Sequence, residues 1–224
     1  MKAGSLITFL VLVARIAAAQ QEIAYDTLRD IHYYNIQSQN YDYRTNNHEG
    51  TQHTVAIKGS AFLYQGWQPG SITLDNGSTL PTELKFNLVE NSLFLSLNGQ
   101  ELLTHPSQFS IKERDFVRIQ HQYYEVLHRG KVGLLKSHRA RLEHIQKNGY
   151  NESLGYDFEY SRNESLYLIH DSGSLTPLKL GERKVLSSLR GHHQQARAVV
   201  RELNLNLRRE ADLKVLLTRL DDCP

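Results

Sequence analysis

The chain has 224 residues, enough for one domain of ordinary size or two small ones, and its formal net charge is +2. Two of its 26 basic residues, Lys2 and Arg15, lie in a segment that we expect to be removed, so the mature chain is close to neutral. A neutral chain gives no argument for a nucleic-acid partner or for an anionic membrane surface.

Residues 1–19 have the order of an export signal. Lys2 supplies a positive end, residues 6–14 form an apolar stretch, and residues 17–19 are alanines that supply a cleavage site before Gln20. The apolar stretch is shorter than the roughly 20 residues that a membrane-spanning helix needs. A buried N-terminal helix is the alternative. We therefore expect a periplasmic or secreted protein whose mature chain has no transmembrane segment.

Residues 20–58 are polar, and their tyrosines are spread among Asn, Gln, Asp and His. This segment has neither a steady periodicity nor enough aliphatic side chains for a core of its own. We expect it to form an extended or partly ordered arm that lies over the rest of the domain, with its tyrosines packing it down.

Residues 59–180 alternate short apolar runs with turn signals, which is typical of antiparallel strands. Asn76-Gly77 separates two such runs and predicts a hairpin. Residues 84–88 and 93–97 each place leucine or phenylalanine on one face and polar side chains on the other. Further strands are predicted at 109–111, 116–119, 123–127, 132–141, 156–160, 166–170 and 175–178. Roughly ten short strands indicate an antiparallel meander that forms a rolled sheet, a sandwich or an open barrel.

Residues 181–224 change to a helical period. A short helix over residues 182–190 is expected to end at Gly191. Two longer helices are predicted from apolar residues at helical spacing: Ala196, Val199, Val200 and Leu203, then Leu213, Leu216, Leu217 and Leu220. One-sided helices need an apolar surface, and the sheet is the available one. The predicted fold is therefore mainly β (α+β), with C-terminal amphipathic helices packing on the sheet. We expect the leucines of residues 84–97 to contact these helices rather than a ligand.

Motifs of catalysis and metal ligation are missing from the sequence. There is no HExxH, no GxSxG and no GxxxxGK[ST]. Asp157 and Glu159 share one strand face, as an acid/base pair would, but exposed acidic strand faces are common. The single cysteine, Cys223, has no partner for an intrachain disulfide, and both intermolecular pairing and a free thiol stay open. We predict no catalytic residue, no metal ligand and no cofactor.

Four segments of the chain follow one another in this order: KGSAFLYQGWQPGSITLDNGSTLPTELKFNLVENSLFLSLNGQELL, FVRI, YYEVLHRGKVGLLKSHRARL and LNLNLRREADLKVLLTRLDD. Together they resemble a family of uncharacterised exported proteins of Bacteroidota. That family shows Pro-Tyr where this chain has Ala61-Phe62, and LRYNL where residues 84–88 read LKFNL. The resemblance implies the periplasm or outer cell envelope of a Gram-negative bacterium, and it implies no activity.

The leading hypothesis is a non-enzymatic envelope protein that acts as a binding or interaction module, with a protein partner or an apolar ligand. One alternative is a periplasmic carrier in which the curved sheet holds a lipid or other apolar ligand under the helices. A second alternative is a hydrolase whose site is assembled from distant residues. The oligomeric state is left open.

Candidate binding residues are the large aromatic side chains near turns and strand ends, since aromatic rings dominate binding surfaces as well as cores. The candidates are Phe62, Tyr64, Trp67, Tyr123 and Tyr124. Packing in the core is the alternative for each of them.

Overall fold

The computed structural model describes residues 20–42, 47–146, 154–170, 173–189 and 191–222. The predicted export signal and Cys223 lie outside these residues. The chain is mainly β with three helices at its C-terminal end, which confirms the predicted fold class. No described helix is long and apolar enough to cross a membrane.

The chain divides into two compact units. The smaller unit comprises the described parts of Met1–Ala61 and Arg141–Ser161, and the larger unit comprises those of Phe62–Ala140 and Arg162–Pro224. Strands β11 (Val132–His144) and β12 (Phe158–His170) contribute residues to both units.

The smaller unit corrects the expectation of an arm over residues 20–58. These residues form strands β1 (Gln20–Asp26), β2 (Ile31–Asp42) and β3 (Asn47–Lys58), which pair in this order and antiparallel. Strand β3 then pairs in parallel with the beginning of β12. All 12 residues of β2 have a partner on β3. Because backbone hydrogen bonds form this ladder, polar side chains do not prevent it, and a search for apolar periodicity misses it.

A small core holds this unit together. Ile31, Ala56 and Tyr156 are buried in one cluster. Asp157 accepts a hydrogen bond from the backbone N–H of Ala56 (3.0 Å), and Glu159 pairs with Lys58 (3.0 Å). Asp157 and Glu159 therefore both contact β3. These contacts connect neighbouring strands, as those of structural residues do.

The larger unit contains the remaining strands: β4 (Gln68–Thr73), β5 (Thr79–Asn87), β6 (Ser92–Leu97), β7 (Gln100–Thr104), β8 (Gln108–Ile111), β9 (Arg114–Ile119), β10 (Gln122–His128) and β13 (Leu175–Leu178). Its strand order is β12-β11-β10-β9-β8-β4-β5-β6-β7, and β13 pairs with β12. The predicted meander is interrupted because β4 pairs with both β5 and β8. The two strands predicted at 156–160 and 166–170 are one strand, β12, which continues through Asn163 and Glu164.

Asn-Gly turns form the hairpins of this unit where the sequence places them. Asn76-Gly77 lies between β4 and β5, and the side chain of Asn76 accepts the backbone N–H of Ser78 (2.9 Å). Asn98 and Gly99 connect β6 to β7 with φ values of 52° and 78°. Two consecutive positive φ values are required by a type I′ turn, which matches the twist of the flanking strands.

Helices α1 (Glu182–Ser188), α2 (His193–Glu202) and α3 (Glu210–Asp221) confirm the predicted helical segment. They cover a fully apolar cluster with contributions from three strands: Val132 and Leu134 of β11, Leu168 of β12 and Leu178 of β13. The helix side chains in the cluster include Val185, Leu186, Ala196, Val200, Leu213, Leu216, Leu217 and Leu220. Lys136 of β11 pairs with Glu210 in the first turn of α3 (2.6 Å), so a charged contact lies at the margin of this core.

The leucines of residues 84–97 do not belong to the helix-covered cluster of the described chain, which corrects the expectation that they pack on helices. The neighbouring Phe86 packs instead against Phe109, Phe116 and Tyr123, at ring-centroid distances of 5.3, 5.5 and 5.7 Å. Strands β5 and β6 lie far along the strand order from β11, β12 and β13, on which the helices pack. Their apolar face therefore meets an aromatic cluster from β8, β9 and β10.

Replacing Leu213 by alanine should lower the free energy of unfolding by about 2–5 kcal/mol, because it leaves a cavity in the helix-covered core. Leu213 is 0% exposed, whereas Val215 of the same helix is 43% exposed. Val215→Ala is the matched control and should change stability by less than about 0.5 kcal/mol. Chemical unfolding followed by circular dichroism measures both, and equal effects would contradict the packing described for α3.

Candidate functional site

The structure separates the five candidate aromatic residues into two groups. Tyr123 and Tyr124 lie in the core, at 2% and 6% exposure. They are consecutive on β10, so their side chains point to opposite faces of the sheet. The hydroxyl of Tyr123 donates to the carbonyl oxygen of Pro106 (2.9 Å), and burial raises the pKa of Tyr123 to about 12. Tyr124 packs edge-on against Tyr167. Neither residue is part of an exposed surface.

Phe62, Tyr64 and Trp67 lie together on the segment that precedes β4, residues 62–67, which we call the aromatic loop. All three side chains are half-buried. The loop lies on β5, because the backbone N–H of Leu63 donates to the carbonyl oxygen of Phe86 (2.9 Å). Arg162 of β12 donates to the carbonyl oxygen of Phe62 (2.7 Å) and so holds the loop from a second strand.

Two rings of the aromatic loop contact the side chain of Lys85. Its ammonium lies 4.5 Å from the ring centroid of Trp67 and 5.5 Å from that of Phe62, both within the range of a cation–π interaction. Phe62 also packs edge-on against Phe94. Lys85 pairs with Phe94 across β5 and β6, and Phe94 pairs with Leu103 across β6 and β7. Directly paired residues share a face, so this apolar row continues from the aromatic loop to β7.

Strand β7 is the last strand in the order of the larger unit, with β6 as its neighbour. A second row of paired residues ends on the opposite face of β7, because Leu84 pairs with Leu95 and Leu95 pairs with Leu102. Both rows end on β7 at exposed leucines, with Leu102 at 41% and Leu103 at 57% exposure. Proteins usually protect an edge strand with a lysine, a proline or a bulge. The sequence of β7, QELLT, has neither lysine nor proline, its register with β6 is regular, and its one charged side chain is Glu101. We call β7 and the exposed ends of its two rows the open edge.

A shallow apolar hollow of about 300 Å³ lies on the larger unit, on the sheet face opposite the helices. Its lining includes Val117, Ile119, Val126, Leu135 and Ile169. Leu135 follows Leu134, which points into the helix-covered core, so the two leucines face opposite ways. His170 also lines the hollow, and its Nε2 atom is buried without a hydrogen-bond partner among the described residues. The hollow therefore combines an apolar wall with one unsatisfied polar atom.

A second depression, of about 250 Å³, has a lining of mixed polarity. It is lined by Arg114, Arg139 and Arg162, together with Tyr64, His138, Asn163 and Glu164 and two leucines, and we call it the arginine cleft. The ring of Tyr64 lies against Lys112 at 4.4 Å and Arg114 at 5.7 Å. Tyr64 therefore belongs to the cleft, while Phe62 and Trp67 of the same loop contact Lys85.

His138, beside the cleft, is 5% exposed and lies between two carboxylates. Its Nε2 atom is 2.6 Å from Glu125 Oε2 and its Nδ1 atom is 3.0 Å from Glu164 Oε1. Both ring nitrogens of His138 therefore contact a carboxylate oxygen. Burial raises the pKa of Glu125, but the hydrogen bond from His138 and the charge of Arg114 outweigh it, so the pKa of Glu125 lies below its ordinary value. The buried carboxylate of Glu125 is therefore paired, as a charge in a protein interior must be.

The sequence does not reveal this cluster because its members are far apart in the chain. Glu125 pairs with Lys136 across β10 and β11, which brings His138, two residues further on the same face, next to Glu125. Only the strand register contains that information. Among the described residues, no group of three or more His, Cys, Asp or Glu side chains is arranged so that it could hold a metal ion.

Comparisons of the chain with protein-family models, with curated proteins and with solved structures each found no match.

Acid should destabilise the fold partly through Glu125. Because the folded-state pKa of Glu125 is below the ordinary 4.5, the carboxylate contributes stability above that value. The contribution is lost progressively as the pH falls below 4.5 towards the folded-state pKa. In Glu125→Gln, the melting temperature should be lower at neutral pH and should fall less steeply in acid. Thermal melts across this pH range measure the effect. Glu113→Gln, at an exposed turn position, should keep the wild-type slope, and a wild-type slope in Glu125→Gln would contradict the assignment.

Proposed function

We propose that this chain is a non-enzymatic, exported protein of the cell envelope that binds an extended segment of a protein partner at the open edge. The observation that carries the proposal is an edge strand without lysine, proline or bulge whose two faces both end in exposed leucines. The order of residues 1–19 supports export, and the near-neutral mature chain suits binding through backbone and apolar contacts.

An extended segment fits because of what β7 offers along its outer side. A strand at the end of a sheet presents a row of backbone donors and acceptors, and an added strand pairs with them. Side chains of the added strand alternate between faces, so one set would contact Leu103 and the next set Leu102. On the Leu103 face, the rings of Phe62 and Phe94 extend the apolar contact away from the edge.

Charge indicates a further property of the partner segment. Glu83, Ser96 and Glu101 form a cross-strand row on the same face as Lys85, and both glutamates are exposed. Lys85 pairs with Glu101 (3.6 Å). Together, Lys85, Glu83 and Glu101 carry one more negative than positive charge. A segment with alternating apolar side chains and a basic residue near Glu101 is complementary to it.

Site-specific crosslinking tests the position of the partner. A photoreactive phenylalanine derivative at position 103 should give a crosslinked adduct in the native envelope, because Leu103 lies on the open edge. The same derivative at position 74 is the matched control, since Leu74 is also an exposed leucine of the larger unit, at 40% against 57% for Leu103. The adducts are read by mass spectrometry, which gives the crosslinked segment of the partner.

A synthetic peptide of that segment should then protect the backbone amides of β7 from hydrogen exchange, and Leu103→Lys should weaken the protection while Leu74→Lys should not. Adducts of equal yield at both positions, or a peptide that leaves β7 unprotected, would overturn the proposal. If the only adduct joins two copies of the chain, the open edge is a site of self-association and not of binding to a different protein.

The apolar hollow supports a second candidate function, a carrier of a small apolar ligand. Its volume of about 300 Å³ lies at the lower end of the range for small-molecule sites. The unsatisfied Nε2 of His170 would suit a ligand with one polar group.

Organic extraction of protein purified from its native envelope, followed by mass spectrometry, should yield a stoichiometric ligand if the chain is a carrier. Leu135→Glu places a charge in the hollow and should abolish co-purification, while Leu142→Glu, at an exposed position of β11, should retain it. Clean protein, or the same ligand in all three samples, would remove this candidate.

A further inference from the structure

We infer that the exposed side of residues 179–209, which comprise α1, α2 and the adjoining loops, binds an acidic polysaccharide, a sugar polymer with carboxylate or sulfate groups. We call this surface the basic face. The inference is independent of the open edge and shares with the proposed function only the expectation that the chain is exported. Its basis is the concentration of positive charge in this one segment.

The near-neutral total charge of the mature chain conceals a strongly basic segment. Residues 179–209 contain eight lysines and arginines and two glutamates, so their net formal charge is +6 with histidine neutral. The rest of the mature chain therefore carries a net negative charge of the same size. The basic residues that the structure describes in the segment are all exposed: Lys179, Arg183, Lys184, Arg197, Arg201, Arg208 and Arg209. A local field of this kind attracts a negatively charged partner, whatever the total charge.

Helix α2 arranges part of this charge in a row. Gln194, Arg197 and Arg201 are three and four residues apart, so they share one side of the helix, and all three are exposed. Ala196 and Val200 are buried in the helix-covered core and fix the opposite side. The helix dipole favours a positive charge at Arg201, in the last turn, but has little effect on one at Arg197. Since the two arginines also repel each other, helix stability does not account for the pair.

The arginines of this row are not neutralised within the described chain. Glu210, the nearest carboxylate of α3 in sequence, pairs with Lys136 (2.6 Å) and Lys214 (3.5 Å). Neither Arg197 nor Arg201 forms an ion pair with a described residue. An exposed guanidinium offers five N–H donors in a planar fork, which matches the oxygens of a carboxylate or sulfate group.

A depression of about 450 Å³ continues the surface at the C-terminal end of α2. Its walls are residues 180–184 and 205–208. The backbone N–H of Leu205 donates to the carbonyl oxygen of Val200 (3.0 Å), the residue before Arg201, so the depression lies where the row of α2 ends. Its volume is within the range of small-molecule sites, so one sugar unit can enter it while neighbouring units contact the row.

The remaining composition of the basic face favours a polysaccharide over other polyanions. Residues 179–222 contain no Phe, Tyr or Trp, so the face has no ring on which nucleic-acid bases could stack. A helix that binds a membrane surface exposes large apolar side chains, whereas Val199 and Val200 of α2 pack in or against the core. Gln194 and Asn204 are exposed amides that donate and accept hydrogen bonds, as sugar hydroxyl groups require. Arginines beside amides suit a polymer that carries both acidic groups and hydroxyl groups.

Calorimetric titration of the purified chain with dextran sulfate, polygalacturonate and neutral dextran tests the inference. We expect an acidic polymer to bind and neutral dextran not to bind, at about 0.15 M salt so that unspecific attraction is screened. The double variant Arg197→Gln and Arg201→Gln should raise the Kd of the bound polymer about tenfold, because two exposed charge contacts are lost. Glutamine has nearly the helix propensity of arginine, so α2 should stay folded.

The matched control is the double variant Arg129→Gln and Arg139→Gln, which removes two exposed positive charges from the larger unit outside the basic face and should leave the Kd unchanged. Tighter binding of dextran sulfate assigns a sulfated polymer, and tighter binding of polygalacturonate assigns a carboxylated one. The inference is overturned if neither acidic polymer binds at up to about 1 mM sugar units, if neutral dextran binds equally well, or if the control weakens binding as much as the test variant. Tighter binding of duplex DNA, or of vesicles of phosphatidylcholine and phosphatidylglycerol, than of both acidic polymers would also overturn it and would make the basic face a nucleic-acid or membrane site.

Discussion

The larger unit depends on the close approach of β4 to β8, which Gly70 makes possible. A Cβ atom at this position would lie 2.4 Å from the carbonyl oxygen of Ser110 and 2.7 Å from Leu84 Cδ1. No side chain fits such a space, since the first contact is with backbone that cannot move aside cheaply. The β4–β8 pair joins β5, β6 and β7 to the rest of the sheet, and it is the step at which the strand order leaves the chain order. The position of β7 at the end of that order follows from it.

The same arrangement decides where the two kinds of core lie. Phe86 of β5 can meet Phe109, Phe116 and Tyr123 because the β4–β8 pair brings their strands together. Phe109 and Phe116 are cross-strand partners and stack with ring centroids 4.6 Å apart. Helices α1 to α3 are not needed at this end, and they cover β11 to β13 instead. The open edge is thus far along the sheet from the helices, which leaves β7 without a covering element among the described residues.

Elements that a side-chain pattern specifies could be predicted from the sequence, whereas elements that depend on strand pairing could not. Leu84, Phe86 and Leu88 alternate with polar residues, and their strand could be predicted because one face is buried. The helices were predictable for the same reason, from leucines at helical spacing. Strands β1 to β3 were not, since their polar side chains show no apolar period. The β4–β8 pair could not be predicted either, because a single glycine, Gly70, does not indicate which strand lies beside it.

The arginine cleft shows why polar interruptions deserve a different interpretation within a long strand. Asn163 and Glu164 lie between two apolar runs, and the sequence predicts two separate strands on either side of them. They lie instead in the middle of β12, where the strand continues and consecutive side chains point to opposite faces. A turn and a polar segment within a strand have similar composition, and only the pairing of the flanking residues distinguishes them.

One short segment contributes to both surfaces, and this has a thermodynamic consequence. Tyr64 lines the arginine cleft, whereas Phe62 and Trp67 contact Lys85 beside the open edge. Arg162 belongs to the cleft and also donates to the backbone of the aromatic loop. A partner that shifts this loop when it binds at the open edge must also shift the contacts of Tyr64 and Arg162, and the free energy of that shift lowers its affinity. If the loop stays in place, binding at the open edge leaves the lining of the arginine cleft unchanged, because the two surfaces share only this segment.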